Sequence, residues 1–308
     1  MNNPIAVPVD KRQSIIAALL IFTGAVLFSS KAVMVKLAYR HEVDSISLLT
    51  LRMLFSLPFY LVIAYRSERK GRIQGAKLDR SQWLEVILYG VLGYYLASLF
   101  DFIGLQYIPA SLERLILFVY PTLVLILSAL FLGKKITRTQ ALAVLITYIG
   151  IALAFVENLR LEHGGDYIFG SSLIFFGALA YAIYLIGSGR LLPYMGSWRY
   201  TSLAMIASST AILIHHGLFY HWRLFHFAAP VYYLAILMAI FATVLPSFLI
   251  SEGIRIIGAG NAAIVGSVGP ISTIILAYIF LEERLSALQW MGAFVVIGGV
   301  LMITLRKR

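Results

Sequence analysis

Cysteine is absent from this chain, which excludes disulfides and thiolate metal sites. Charge is scarce too. Asp, Glu, Lys and Arg make up only 13% of the residues while apolar types reach 60%, where a soluble domain is nearer one quarter charged and one half apolar. So few charges exclude a single water-soluble domain of 308 residues, and a lipid solvent removes the difficulty because outward faces are then apolar as well. Acids are the rarer sign, 14 against 25 basic residues, for a formal net charge of +11. In a soluble protein that excess suggests nucleic acid. Here the basic residues fall in short segments between apolar runs, the pattern that orients membrane proteins, so lipid rather than nucleic acid is the expected partner. Also missing are a His-Glu-x-x-His pair, a Walker or Rossmann glycine pattern and a recognisable Ser/His setting, so no enzyme activity, cofactor or metal is expected.

What is present is a series of ten apolar runs, each long enough to cross roughly 30 Å of hydrocarbon. They fall near Ser14–Val35, Ser45–Tyr65, Trp83–Ile103, Ser111–Leu132, Gln140–Val156, Phe169–Gly189, Tyr200–His221, Val231–Gly253, Asn261–Leu281 and Ala287–Leu305. The links Gln106–Ala110 and Ile256–Gly260 are the shortest, which predicts antiparallel neighbours on either side of each. With the N-terminus inside, the inner segments hold 17 Lys and Arg and the outer segments five (Lys36, Arg40, Arg160, Arg223 and Arg284). That bias, with an even number of spans, predicts both termini cytoplasmic, and the expected location is a bacterial inner membrane.

A self-match carries the most information. A shift of 149 positions lays Gly104–Val156 over Gly253–Leu305 without a gap. Pro121 meets Pro270, Phe131-Leu132 meets Phe280-Leu281, Gln140 meets Gln289 and Gly150 meets Gly299. A weaker match joins Gly24-Ala25 to Gly177-Ala178. The organisation read from this is a disordered tail over 1–13, a first repeat over 14–156, a linker over 157–168, a second repeat over 169–305 and a basic tail over 306–308. Five spans per repeat is an odd number, so the second copy enters the membrane from the opposite side. The expected fold is therefore an all-α integral membrane protein of about ten helices in two inverted five-helix repeats. Inverted repeats are a hallmark of secondary transporters, since two copies of one shape facing opposite ways give outward-open and inward-open states of similar energy. A small-molecule substrate near the midplane is the expected cargo. A channel or scaffold is the alternative, and an intramembrane enzyme a more distant one.

The stretch Ala-Ser-Leu-Glu-Arg-Leu-Ile-Leu-Phe-Val-Tyr-Pro-Thr (110–122) runs on to Leu-Gly-Lys-Lys-Ile-Thr (132–137), and Gly-Asn-Ala-Ala-Ile-Val-Gly-Ser-Val-Gly-Pro (260–270) runs on to Leu-Glu-Glu-Arg-Leu (281–285). Both resemble the fourth-span signature of EamA domains in the drug/metabolite transporter superfamily, and Gln289-Trp290-Met291-Gly292 resembles that domain's last span. The resemblance implies ten spans, a central cavity lined by both halves and export or uptake of metabolites without ATP hydrolysis; of the two, export is the expected direction. One departure stands out: the first copy has Gly133-Lys134-Lys135 where such domains usually carry Gly-Glu-Arg or Gly-Glu-Lys.

Ionisable side chains inside a span are costly and need a partner or an aqueous cavity. Lys31, Arg52, Asp101, Glu113 and Arg114 all fall in the first half, in what the topology makes the outer half of the bilayer. Arg52 lies on the order of 10 Å along its helix from Ser45, deep for snorkelling. One reading is an outer vestibule attracting an anionic or zwitterionic solute, with a carboxylate able to couple transport to protons. The other is structural: Lys31 snorkels, Glu113 sits in a first turn behind an N-cap Ser111, and Asp101 pairs with Arg52. Tyr95, Tyr120, Asn261 and Ser267 are further candidates for the transport pathway, and Pro121 and Pro270 are expected kinks beside it. Glu252 and Arg255, three apart, are candidates for an inner gate or a local pair.

Overall fold

The computed structural model describes residues 11–73, 78–133, 135–156, 164–266 and 268–305. Among these every regular element is helical. In chain order they are α1 (Lys11–Tyr39), α2 (Ser45–Ile73), α3 (Arg80–Gly90), a π-helical turn (Val91–Leu96), α4 (Ala97–Gly104), α5 (Ala110–Leu117), α6 (Tyr120–Leu132) and α7 (Arg138–Val156). Then come α8 (Gly164–Met195), α9 (Ser197–Tyr220), α10 (Ala229–Ala239), a second π-helical turn (Ile240–Val244), α11 (Leu245–Gly266), α12 (Val268–Leu281) and α13 (Ala287–Leu305). Seven helical stretches are long and apolar enough to cross a membrane, and Arg138–Leu153, Val268–Leu281 and Ala287–Gly299 are shorter apolar helices. Leu130, Phe131, Leu145, Tyr233 and Phe294 are exposed, an arrangement stable against lipid tails and not against water.

Helix ends follow from local chemistry. Asp44 accepts from the backbone N–H of Ile46 and Ser47 and so starts α2. The shared glutamines of the self-match have a defined task. Gln140 Oε1 accepts from Thr137 N at 2.9 Å, and Gln289 Oε1 accepts from Ser286 N at 2.9 Å, so each closes a reciprocal cap at the head of its helix. The left-handed turn that ends the preceding helix also recurs, at Gly133 (φ 64°) and at Glu282 (φ 60°).

Pro121 acts as a break rather than a kink. Proline removes an N–H and clashes with the carbonyl four residues back. Accordingly α5 ends at Leu117, four before Pro121, and α6 starts at Tyr120, while Pro270 lies within α12 and residue 267 ahead of it is outside the described residues. The expected link at Ile256–Gly260 is a second departure, because helical backbone continues through it. The chain still turns back there. Gly253 rests on Ala17 and Ile21 of α1 while Gly269, 16 residues on, lies beside Ser29. Sixteen residues of straight helix would travel about 24 Å away from that point.

Close packing between helices follows the self-match. Gly150 of α7 abuts Gly292 and Val296 of α13, and Gly299 of α13 abuts Ala143 and Thr147 of α7. Gly104 of α4 abuts Gly170 and Ile174 of α8, and Gly253 of α11 abuts Ala17 and Ile21 of α1. Gly177 meets Phe100 and Asp101, and Gly24 meets Leu249 and Ile250. In each pair of contacts, one set maps onto the other under the sequence repeat. In the α7–α13 and α1–α11 pairs the helices run antiparallel, since residue numbers rise on one as they fall on the other. The π turns correspond as well, Val91 and Ile240 being 149 positions apart. In the second turn Thr243 Oγ1 donates to the Met238 carbonyl at 2.9 Å, satisfying a group near Pro246.

Candidate functional site

Five buried or half-buried ionisable side chains converge from α1, α2, α4 and α5. Phe28 and Lys31, three apart on α1, share a face. Lys31 Nζ reaches Asp101 Oδ2 on α4 at 2.5 Å and Glu113 Oε1 on α5 at 3.4 Å. Lys31 is 5% exposed, Asp101 2% and Glu113 0%. Arg52 is also buried. Its Nη2 donates to Ser98 Oγ at 3.1 Å and its guanidinium lies 4.8 Å from the Phe102 ring centre. Arg114 lies 5.2 Å from the ring centre of Phe28, which Lys31 Nζ faces at 5.4 Å. The second repeat closes over the cluster at Gly269. Ser29 Oγ donates to the Gly269 carbonyl at 2.9 Å, and a Cβ on Gly269 would stand 2.8 Å from Arg114 Nη2. Glycine at 269 is therefore what lets the guanidinium approach α12.

The structure brings together all five charged residues that the sequence picks out, but pairs them differently. Asp101 binds Lys31, whereas Arg52 turns to Ser98 and Phe102. Lys31 does not snorkel. Pro109, with extended backbone, takes the N-cap position of α5, and Ser111 lies inside the helix. The free N–H groups of that first turn are bound by Glu283 from the far repeat, which accepts from Ala110 N at 2.9 Å, Ser111 N at 3.1 Å and Ser111 Oγ at 2.7 Å. Glu113 is thus free to face Lys31.

Nor is the cluster an open vestibule. Open space lies beside it, in a cavity of about 460 Å³ lined by Lys36, Tyr39, Arg40, Gln106, Leu281 and Glu283 among others. Tyr39 separates the two. Its hydroxyl donates to the carbonyl of Phe102, next to Asp101, at 2.6 Å and lies 2.9 Å from Ser45 Oγ.

The remaining candidates scatter. The Tyr95 hydroxyl lies 2.8 Å from His215 Nδ1, away from the cluster, while its neighbour Tyr94 turns inward and accepts from the Tyr184 hydroxyl at 3.2 Å. Tyr120 stands edge-on to Tyr181 at 5.2 Å, and Tyr181 stacks on Tyr184 at 5.7 Å, so an aromatic row runs between α6 and α8. Glu252 accepts from Trp198 Nε1 at 3.3 Å, and Trp198 stacks on Phe248 at 4.5 Å. Beside it Arg199 grips both oxygens of Glu68, at 2.6 and 3.0 Å. The side chains of Arg255 and Asn261, and the whole of Ser267, lie outside the described residues. Among the described residues no group of His, Asp or Glu is arranged to hold a metal.

The sequence profile of the EamA-like transporter family matches residues 15–156 and again 168–305. The chain belongs to that family. It is 29% identical to the uncharacterized transporter YcbK of Bacillus subtilis (strain 168), over 95% of this chain and 92% of that one. It is 24% identical to the uncharacterized transporter YetK of the same organism, over 75% and 71%. A solved crystal structure shares the fold at a TM-score of 0.63 with 16% identity, covering 94% of this chain and 96% of the other. As an EamA protein with seven long apolar helices, the chain is an integral membrane transporter.

Within this EamA chain, the sequence singles out Phe28 as an aromatic able to meet a cation, as it does with Lys31 and Arg114, but passes over Lys36, Tyr39, Arg40, Ser98 and Glu283. Lys36 and Arg40 enter the sequence reading only as topology charges, and Glu283 only as part of the family motif. The departure at Lys134-Lys135 was the available signal, because it marks Glu283 as an acid with no counterpart in the first repeat.

Proposed function

We propose that this EamA transporter is a secondary transporter that exports a small organic metabolite by alternating access, without ATP hydrolysis and with protons as the coupling ion. In this reading it crosses the bacterial inner membrane ten times, as two inverted five-span repeats (14–156 and 169–305) with both termini cytoplasmic. One observation supports it above the others: repeat-related contacts join antiparallel helices. A two-fold axis relating antiparallel helices is perpendicular to them, and so lies in the membrane plane. The segments assigned to the outer face also meet one another, at Arg40, Gln106 and Glu283, as do those assigned to the inner face, at Glu68, Arg199 and Glu252.

The substrate path in this reading passes the buried cluster. Arg114, the most accessible of the five, faces the solute, an anion or zwitterion, while Arg52 and Lys31 hold the positive potential around it. Tyr120 and Tyr181 line the inward continuation. The Glu283 contact with α5 closes the outer side, and the Trp198–Glu252 and Arg199–Glu68 contacts close the inner side. The experiment is a solute screen in reconstituted vesicles with and without a pH gradient, with Arg52→Ala alongside. Saturable flux that the gradient accelerates, and that Arg52→Ala abolishes while the variant still inserts into the membrane, is the expected result. Flux that rises linearly with solute concentration would mean a channel, and normal flux in Arg52→Ala would remove the cluster from the path.

A further inference from the structure

We propose that Glu113 holds one exchangeable proton, shared with Asp101, and that this is the proton that couples to solute movement. The coupling role rests on the transport reading above, while the proton itself does not. Lys31 offers one ammonium to two carboxyl groups and sits closer to Asp101 than to Glu113. The far oxygens, Asp101 Oδ1 and Glu113 Oε2, are buried with no hydrogen-bond partner. A carboxylate left in that state costs far more than a neutral acid, because burial penalises charge that is not paired. Both carboxyl groups close on the same Lys31 ammonium, which sets two buried acids side by side. A single proton on Glu113 removes one of the two buried negative charges that Lys31 alone would otherwise have to balance. The shorter Lys31 contact keeps Asp101 as the ionised member and puts the proton on Glu113.

The surrounding charges agree with one proton rather than two. From α1 come Lys31 and Tyr39, from α2 Arg52, from α4 Asp101 and from α5 itself Arg114, all close to the carboxyl pair. Glu283 reaches α5 only at its first turn, on Ala110 and Ser111. The ionisable residue of α12, Tyr278, is 58% exposed and turned away. On α7 and α8, Arg138 and Asp166 are exposed at their helix starts, and the side chain of Arg190 lies outside the described residues. When Glu113 gives its proton to water, Lys31 faces two full negative charges on different helices and its hold on Asp101 is shared. The contact that ties α1 to α4 and α5 then loosens, so one proton biases the seal between solute and solvent.

Infrared spectroscopy of the protein in lipid, with no solute present, tests this. At neutral pH the wild type should show the carbonyl stretch of a protonated carboxylic acid, shifted in D2O, which Glu113→Gln removes and Glu283→Gln leaves in place. Titration of the wild type to alkaline pH should remove the same band, a readout that needs no variant to fold. A wild type without the band, or a band that persists in Glu113→Gln, overturns the proposal. Because the spectrum needs no transport, failure here leaves the flux experiment untouched, and failure of flux leaves the proton in place.

Discussion

At the scale of single residues the cluster is governed by what burial does to charge. Lys31 is the ammonium that reaches both Asp101 and Glu113, so its removal takes the counter-ion from two buried acids. Lys31→Met is expected to lower stability by about 3–5 kcal/mol, and Lys31→Arg by much less, read as unfolding midpoints in detergent. Equal midpoints for Lys31→Met and wild type would show the pair to be dispensable. Glu283 is a second case. Its carboxylate binds two backbone N–H groups and one hydroxyl of α5, all at a helix start where the N–H groups have no intrahelical partner. Glu283→Ala is expected to cost about 1–3 kcal/mol, and Ser111→Ala only part of that because the backbone contacts survive. Thermal melts of the two variants and the double variant check the order. The residue identities at the cluster were legible from sequence, because an ion in an apolar run is conspicuous. The partners were not. Which of Lys31, Arg52 and Arg114 meets Asp101 depends on how four helices are rotated about their axes, and periodicity in a nearly all-apolar span does not encode that rotation.

At the scale of elements, small residues set how closely helices approach. In lipid no hydrophobic force drives helices together, so association depends on packing, and glycine lets backbones meet. Gly150 and Gly299 form such a seam between α7 and α13, each facing the residues that the other's repeat copy would face. Alanine at either position would put a Cβ within 2.4–2.7 Å of the neighbouring helix. Gly150→Ala and Gly299→Ala are each expected to destabilise by about 1–3 kcal/mol, and by similar amounts because the contacts are equivalent. A neutral effect of one and a large effect of the other in melting experiments would deny that equivalence. Helix starts were legible at this scale from where apolar runs begin, as at Ser45 and Ala287, though the cap expected at Ser111 stands at Pro109 instead. Two features were not. The helical backbone through Ile256–Gly260 hides a reversal where the sequence suggests a loop, since glycine and asparagine there do not by themselves stop helical hydrogen bonding. The paired π turns at Val91–Leu96 and Ile240–Val244 insert a residue into a helix with no composition signal that marks it.

At the scale of the whole molecule the question is polarity. The absence of cysteine makes the chain a natural background for accessibility labelling. Single Lys134→Cys and Arg284→Cys variants, at positions one residue off exact correspondence in the turns that end the fourth and ninth apolar runs, are expected to react with a membrane-impermeant thiol reagent from opposite faces of the bilayer. Reaction from the same face would rule out inverted halves and with them a cavity that alternates between the two sides.

Sequence alone determined that the chain lives in lipid, that it repeats itself with a period of 149 positions over its matched segment, and which charges are out of place in an apolar span. Those properties follow from composition, from residue order and from the cost of placing an ion in hydrocarbon, none of which requires coordinates. Tertiary structure decided that Lys31 rather than Arg52 holds Asp101, that Glu283 reaches across to cap α5, and that Lys31, Arg52, Asp101 and Glu113 are buried rather than open. These depend on distances between residues 70 to 173 positions apart, set by the rotation and tilt of packed helices. Apolar spans leave that geometry unmarked because every face of them is compatible with lipid.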